Sequence, residues 1–465
     1  TMAQGYHALG LHDREAVFHL TYRTPPFGGG YAVAAGMPVA ADLLESWRFS
    51  DDDAAFLATL TGNDGRPLFR EAFLDWLRGL RFTGDVDMVA EGEVVFPHAP
   101  LVRVRAPLAQ AQIVETALLS IVNFQTLIAT KAARICHAAA GDPVLEFGLR
   151  RAQGLDGGLS ASRAAYVGGV AGTSNVLAGR LFGIPVRGTH AHSWVMVFDD
   201  EPAAFAAYAR TMPNNCVFLV DTYDTLEGVR RAIACGQELR RHGHEMVGVR
   251  LDSGDLGELA RQARALLDAA GFPDAVVVAS NDLDENRIGA LKEYGAPIGV
   301  WGVGTRLATA HPQPALGGVY KLAAIRDEAG DWQPRIKLSE QDLKVSDPGV
   351  LQVRRFEAPR GQILADVLWN TLDGEPAGRP PGVAFDAKPR DLLQPAVRAG
   401  ARVGASHDLG AARARALAGV RHLPPSVRRL DTPASFHVHR EPRLQALRER
   451  LIARGRDAAG SGEGA

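Results

Sequence analysis

The chain has 465 residues, 46% of them hydrophobic and 22% charged, with a formal net charge of −2. Such a composition belongs to a globular protein with length for two or three cores. The near-neutral balance leaves no global field to favour nucleic acid or an anionic membrane surface. No apolar run of about twenty residues and no signal-peptide pattern occurs. Cys136, Cys216 and Cys235 stand far apart without a CxxC pair, which argues against a disulfide framework or a zinc site and fits a reducing cytoplasm. Thr1 in place of an initiator Met suggests that the sequence begins inside a longer one.

Residues 1–106 read as a small α+β domain. Ala16-Val-Phe-His-Leu-Thr-Tyr22 alternates as a strand and runs into the turn-forming Pro25-Pro-Phe-Gly-Gly-Gly30. Residues 84–97 and Leu101-Val-Arg-Val-Arg105 supply further half-exposed strands. Across 107–140 the period becomes helical, with Pro107 suited to a helix start and Gly141-Asp-Pro143 closing the segment. This is a long connecting helix or two abutting ones.

From 141 to 318 the chain falls into repeated strand–helix units. Strand candidates begin at Val144, Ile184, Val217, Met246, Val276 and Ile298, and Leu181-Phe-Gly-Ile-Pro-Val186 reads as a buried strand entering a polar loop. Helical stretches lie between them, around 202–211, 225–241, 255–270 and 284–294. Such alternation implies a parallel sheet with right-handed crossovers, and six units favour a closed or nearly closed barrel. Residues 319–465 form a C-terminal segment. It opens on an antiparallel hairpin (Val319–Ile325 with Gln333–Leu338) and continues through the Pro- and Gly-rich 374–382. An Arg-rich helix at 442–454 and a disordered small-residue tail from Ala458 complete it.

In α/β proteins chemistry sits in the loops at the carboxyl ends of parallel strands. Here those loops offer Glu146-Phe-Gly-Leu-Arg-Arg151, Gly172-Thr-Ser-Asn175, Gly188-Thr-His-Ala-His-Ser193, Asp221-Thr-Tyr-Asp224, Arg250-Leu-Asp-Ser-Gly-Asp255, Ser280-Asn-Asp282 and Gly302-Val-Gly-Thr-Arg306. Each has a plain reading beside a functional one. Gly302 and Gly304 suit either a tight turn or a backbone cradle for phosphate. Asp252 and Asp255 suit ribose hydroxyls or Mg²⁺, or a helix cap. Arg150 and Arg151 suit phosphate or plain solvent. His190 and His192 can serve as acid, base or nucleophile, or as ordinary loop histidines. Taken together, the loops fit a sugar-phosphate site on the mouth of the barrel.

At these residues the chain resembles the nicotinate phosphoribosyltransferases, over nearly its whole length. The matching blocks are Thr24-Pro-Pro-Phe-Gly-Gly-Gly-Tyr-Ala32, Asn123-Phe-Gln-Thr-Leu-Ile-Ala-Thr-Lys-Ala-Ala-Arg134, Glu146-Phe-Gly-Leu-Arg-Arg-Ala-Gln153, Gly172-Thr-Ser-Asn-Val-Leu-Ala-Gly179, Gly188-Thr-His-Ala-His-Ser-Trp-Val195, Arg250-Leu-Asp-Ser-Gly-Asp255 and Leu316-Gly-Gly-Val-Tyr-Lys-Leu322. The resemblance implies an irregular α/β barrel with an additional α+β domain built from N-terminal and C-terminal segments. It implies transfer of phosphoribosyl from 5-phosphoribosyl-1-pyrophosphate to nicotinate, coupled to ATP hydrolysis, with Mg²⁺ required, in a cytoplasmic homodimer whose sites are shared across the interface.

By the same resemblance His192 is the histidine phosphorylated by ATP, and Phe147 and Tyr6 sandwich the pyridine, Tyr6 from a second subunit. Ser174 and Ser193 line the nicotinate site, and Arg250 meets the nicotinate carboxylate. Asp252 and Asp255 face ribose and Mg²⁺, while Arg150 contacts phosphate or pyrophosphate. Ser280, Asn281, Gly302, Gly304 and Thr305 form the 5′-phosphate cradle. Lys131 and Arg134 are equally well explained by ion pairing on a helix surface. Nicotinamide phosphoribosyltransferases carry an aspartate in a Gly-Thr-Asp block where this chain has Gly172-Thr-Ser174, so serine implies a preference for the anionic base. The alternatives are a nicotinamide-using relative, an inactive nucleotide-binding one, and a barrel aldolase or isomerase. That last class needs a strand-end lysine or carboxylate base, and no strand end clearly offers the lysine.

Overall fold

A computed structural model describes residues 1–465 apart from 342–343, 377, 385, 405–407 and 461–465, and apart from the side chains of 458–460. The backbone of Ala458–Gly460 continues the helix Pro442–Gly460, and the rest of the expected disordered tail lies outside the described residues. The chain forms two compact units, one of residues 1–127 with 315–465, the other of residues 128–314. The division falls inside the helix Glu115–Ala138, which abuts the helix Leu108–Ile113.

The first unit is built on an antiparallel sheet in which late segments flank three early strands on both sides. Strand Glu15–Thr21 pairs with Val102–Pro107 on one edge and Val319–Arg326 on the other, and Asp85–Val89 pairs with Leu393–Arg398. Alternation sets the faces: Val102, Val104 and Ala106 are buried while Arg103 and Arg105 reach outward to Asp87 and Glu15. The hairpin expected to run to Leu338 ends its second strand at Pro334, with one further backbone bond from the Arg335 amide to the Ala323 carbonyl at 2.8 Å. A four-stranded sheet (Lys388–Asp391, Leu351–Glu357, Ile363–Asn370, Val438–Arg440) completes this unit. It carries the fully buried Arg355 held by Asp366 at 2.8 Å and Glu93 at 2.7 Å.

The second unit carries six parallel strands: Val144–Glu146, Gly172–Thr173, Val217–Leu219, Gly248–Leu251, Val276–Ala279 and Val300–Val303. They follow chain order around a ring, since the last, Val300–Val303, pairs with the first. Val186 adds a single parallel bridge to Thr173, and the sheet ladder stops between that point and Val217. Strand pairing thus leaves an open six-stranded sheet in cyclic chain order, and the ladder does not close the barrel expected from the sequence. Four of this unit's helices, Glu201–Thr211, Thr225–Arg241, Leu256–Ala269 and Glu285–Glu293, start on aspartates placed by the loops. Asp200, Asp224, Asp255 and Asp284 each accept an amide hydrogen from the first turn that follows.

Leu181 and Phe182 are not strand residues. They end the helix Val176–Phe182, and Gly183 terminates it in the left-handed conformation at φ 68°, a position that glycine fills without steric cost. Only Ile184–Val186 beyond it is extended enough to bridge.

Candidate active site

The strand-end loops of the second unit enclose a cavity of about 420 Å³. Eleven of the fourteen expected site residues line it: Phe147, Arg150, Ser174, His192, Arg250, Asp252, Ser280, Asn281, Gly302, Gly304 and Thr305. Arg151, Thr189 and Asp282 line it as well.

Its floor is organised by Glu146, a buried carboxylate at the end of the first strand. One oxygen accepts the Gly148 amide hydrogen; the other accepts the hydroxyls of Ser162 at 2.9 Å and Thr173 at 2.6 Å. The Glu146 backbone carbonyl accepts the Ser174 amide. One side chain and its own backbone thus fix both the Phe147–Gly148 turn and the Thr173–Ser174 turn. Phe147 is further tied by its amide, which donates to the Val303 carbonyl at 2.8 Å. Its ring lies over Gly302, where a Cβ would sit 2.8 Å from a ring carbon. Gly302 is thereby a seat for the aromatic ring.

Arg250 spans the middle. Its guanidinium donates to Ser280 Oγ at 2.8 Å, Thr189 Oγ1 at 2.9 Å and Asp252 Oδ1 at 3.1 Å, and lies 5.6 Å from the Phe147 ring centre. Three of its five N–H groups are thus used to fix the fork, and two have no partner among the described residues. Ser280, itself buried, donates to Asp252 Oδ1, so it braces this pair as well as lining the cavity. The next two residues, Asn281 and Asp282, are both in the left-handed region (φ 94° and 45°), which turns the loop sharply into the cavity wall.

His192 opens the short helix His192–Met196. Its Nδ1 is 3.1 Å from Thr222 Oγ1, and its Nε2 faces Asp252 Oδ2 at 3.7 Å and Asp221 Oδ1 at 4.0 Å. Asp221 is almost fully buried. Its Oδ2 accepts the Asp252 amide at 3.0 Å and the Ser253 hydroxyl at 2.6 Å, while Oδ1 has no hydrogen-bond partner. Two carboxylates beside Nε2 favour a proton on that nitrogen, which leaves the lone pair on Nδ1. Sequence reasoning had placed Asp221 in a strand-end loop without giving it a task. Its pairing with a histidine from another loop is a tertiary fact.

Three expected site residues lie elsewhere. Asp255 caps its helix through Gly257 and Glu258, the plainer of its two readings. Ser193 is exposed and outside the cavity lining. Tyr6 belongs to the helix Met2–Ala8 of the first unit, where it packs half-buried against the cluster of Ala3, Phe73, Leu74, Leu77, Leu80 and Ala109. Lys131 and Arg134 are not on a helix surface. Both are buried and meet the equally buried Glu285, at 2.5 and 2.9 Å. Glu285 opens the helix that follows the Asn281–Asp282 turn.

Among the described residues, no group of three or more His, Cys, Asp or Glu side chains is arranged to hold a metal, and no helix is long and apolar enough to cross a membrane.

Residues 1–123 match the family model for the nicotinate phosphoribosyltransferase N-terminal domain, and residues 143–329 match that of the nicotinate phosphoribosyltransferase family. The nicotinate phosphoribosyltransferase of Bacillus subtilis is 50% identical over 356 residues, 76% of this chain and 71% of that one. One from Mycobacterium tuberculosis is 42% identical over 453 residues, 97% of this chain and 92% of that one. The crystal structure of human nicotinic acid phosphoribosyltransferase superposes with a TM-score of 0.83 at 34% identity, covering 97% of this chain and 98% of that one.

Proposed function

The chain belongs to the nicotinate phosphoribosyltransferase family and is an enzyme of that activity, in NAD salvage; on that premise we propose how its residues divide the reaction. Nicotinate and 5-phosphoribosyl-1-pyrophosphate are the substrates. The bond from the ribose anomeric carbon to pyrophosphate breaks as the pyridine nitrogen bonds to that carbon, through an oxocarbenium-like state. No general base is needed, so catalysis rests on positioning and on stabilising the departing pyrophosphate.

Phe147 stacks on the pyridine and Arg250 directs its two remaining N–H groups to the nicotinate carboxylate. The observation that carries this reading is the fixed Arg250 fork beside the Phe147 ring. Ser174 places a neutral hydroxyl near the anionic base, where a carboxylate would repel it. Arg150 and Arg151, exposed at the rim, meet the phosphates, and the backbone of Asn281, Gly304 and Thr305 receives the 5′-phosphate. The reading includes a homodimer, in which Tyr6 of the second copy is assigned to the other face of the pyridine.

His192 is the acceptor of the ATP γ-phosphoryl group. Its Nδ1 lone pair forms the new N–P bond as the bond to ADP breaks, and water later hydrolyses the phosphohistidine. Asp221 and Asp252 hold the Nε2 proton and offset the charge that develops on the ring. Mg²⁺ needs oxygen donors and is commonly bound by one or two carboxylates plus substrate phosphates. Asp252, whose carboxylate lines the cavity, fits that need. When bound, the ion neutralises phosphate charge; Asp255 uses its Oδ1 in the helix cap.

The test is mononucleotide formation with Arg250→Lys, which keeps the charge and loses the fork. A rise of about tenfold or more in the nicotinate KM is expected from the loss of charge-assisted hydrogen bonds. An unchanged KM removes Arg250 from base recognition.

A further inference from the structure

His190 lies two residues before His192 and has no task in the reaction above, yet it is the more deeply buried of the two. Its surroundings explain why. The ring of parallel strands is broken between Val186 and the strand Val217–Leu219, which is therefore an edge. On its paired side that strand bonds to Gly248–Leu251, and the Val220 amide donates to the Arg250 carbonyl. The Leu219 amide points the other way, across the break, in a residue only 1% exposed. A buried N–H facing a missing strand needs an acceptor.

His190 Nε2 accepts it at 3.2 Å. That bond places the ring proton on Nδ1, which points at the Ala191 carbonyl 3.4 Å away. Tyr208 packs edge-on against the ring at 4.9 Å, with Phe205 at 6.1 Å and Phe218 at 6.5 Å. A protonated imidazole has no acceptor nitrogen, so only the neutral ring can make the bond. Burial holds the His190 pKa down at about 4, with Arg250 and His192 nearby acting in the same direction. The main chain is pinned as well: Thr189 Oγ1 accepts from Arg250 and donates to the His190 carbonyl at 3.2 Å.

We propose that His190 is a positioning residue whose neutral imidazole stands in for the absent strand at the break in the ring, and so fixes the loop that presents His192. His190 is tied to Leu219 and His192 to Thr222, so both histidines of one loop are stitched to one neighbouring strand end. The inference rests on the reading of His192 as the phosphorylated residue, and it deepens that reading.

Two variants separate the hydrogen bond from the packing. His190→Phe keeps an aromatic ring and loses the acceptor; His190→Gln loses the ring and keeps an oxygen near the Nε2 position. Three readouts are taken on the full chain: transfer of label from γ-labelled ATP to the protein, nicotinate turnover without ATP, and deuterium uptake in peptides covering 186–196 and 217–222. His190→Phe is expected to cut labelling about tenfold, the order of one buried hydrogen bond left unmade, and to raise uptake in both peptides. Turnover without ATP should stay near wild type, and His190→Gln should restore labelling and protection. Full labelling and unchanged uptake in His190→Phe would overturn the proposal. Equal failure of both variants would also overturn it, because an acceptor kept at that position would then not restore the loop. If wild-type protein takes no label, the reading of His192 fails, and the uptake comparison still decides whether His190 braces the loop.

Discussion

Replacing Gly302 with alanine separates two tasks that the same residue has been given. The new methyl would lie 2.8 and 2.9 Å from two ring carbons of Phe147, and at an ordinary 3.4 Å from Ser280 Cβ. Backbone conformation is no obstacle, because Gly302 sits in the strand Val300–Val303 with no positive φ. The strain therefore falls on the ring, which must retreat by about half an ångström to restore van der Waals contact. Overpacking of this kind costs about 1–3 kcal/mol. Expressed in binding of the stacked pyridine, that is roughly a fivefold to hundredfold rise in the nicotinate KM at about 1.4 kcal/mol per factor of ten. The assay is steady-state mononucleotide formation with each substrate varied in turn. The account expects the nicotinate KM to rise and that for 5-phosphoribosyl-1-pyrophosphate to stay within about twofold. The reverse pattern would return Gly302 to the phosphate cradle and refute the seat for Phe147.

Further outcomes follow from the same geometry. Asp221→Asn keeps the shape beside His192 and removes the buried charge, so ATP-stimulated turnover should drop by about tenfold or more while turnover without ATP persists; retained stimulation takes Asp221 out of the His192 step. Ser174→Asp should lower nicotinate turnover and narrow the gap to nicotinamide in a side-by-side assay, and an unchanged ratio places base selection elsewhere. Lys131→Met leaves Glu285 buried with only Arg134, a loss of about 3–5 kcal/mol measurable by denaturant unfolding; a loss under about 1 kcal/mol contradicts the buried pair. The two buried neutral histidines make stability acid-sensitive. The pKa of His190 is held at about 4 and that of His19 at about 3, both by burial and both down from 6.5. The unfolded chain takes up these protons first as pH falls, so stability is full above about pH 6.5 and declines towards pH 4. The His190 share is about 3 kcal/mol. His190→Gln should flatten that decline, and a wild-type melting temperature constant from pH 6.5 to 4 would count against it.

Much of this was legible before any coordinates. Strand-end loops announce themselves by an apolar run followed by polar and glycine residues, and that pattern located Phe147, His192, Arg250, Asp252 and the Ser280 loop. The misreadings have local causes. Leu181 and Phe182 are apolar enough for a strand, and only the left-handed Gly183 after them marks a helix end. Asp255 stands where a metal ligand or a cap are equally plausible, and the following amides claim it. Lys131 and Arg134 look like surface residues because their partner, Glu285, is remote in sequence and buried with them. The tasks of Asp221 and His190 depend on which loops meet across the break in the ring, and no period or motif in one segment carries that information.

The most direct measurement is mononucleotide formation from nicotinate and 5-phosphoribosyl-1-pyrophosphate, with and without ATP, beside nicotinamide, for wild type and His192→Ala. The account predicts nicotinate-preferring turnover that ATP stimulates in the wild type, and loss of that stimulation alone in His192→Ala. Turnover indifferent to ATP, or stimulation that survives in His192→Ala, contradicts the phosphohistidine at the centre of the site.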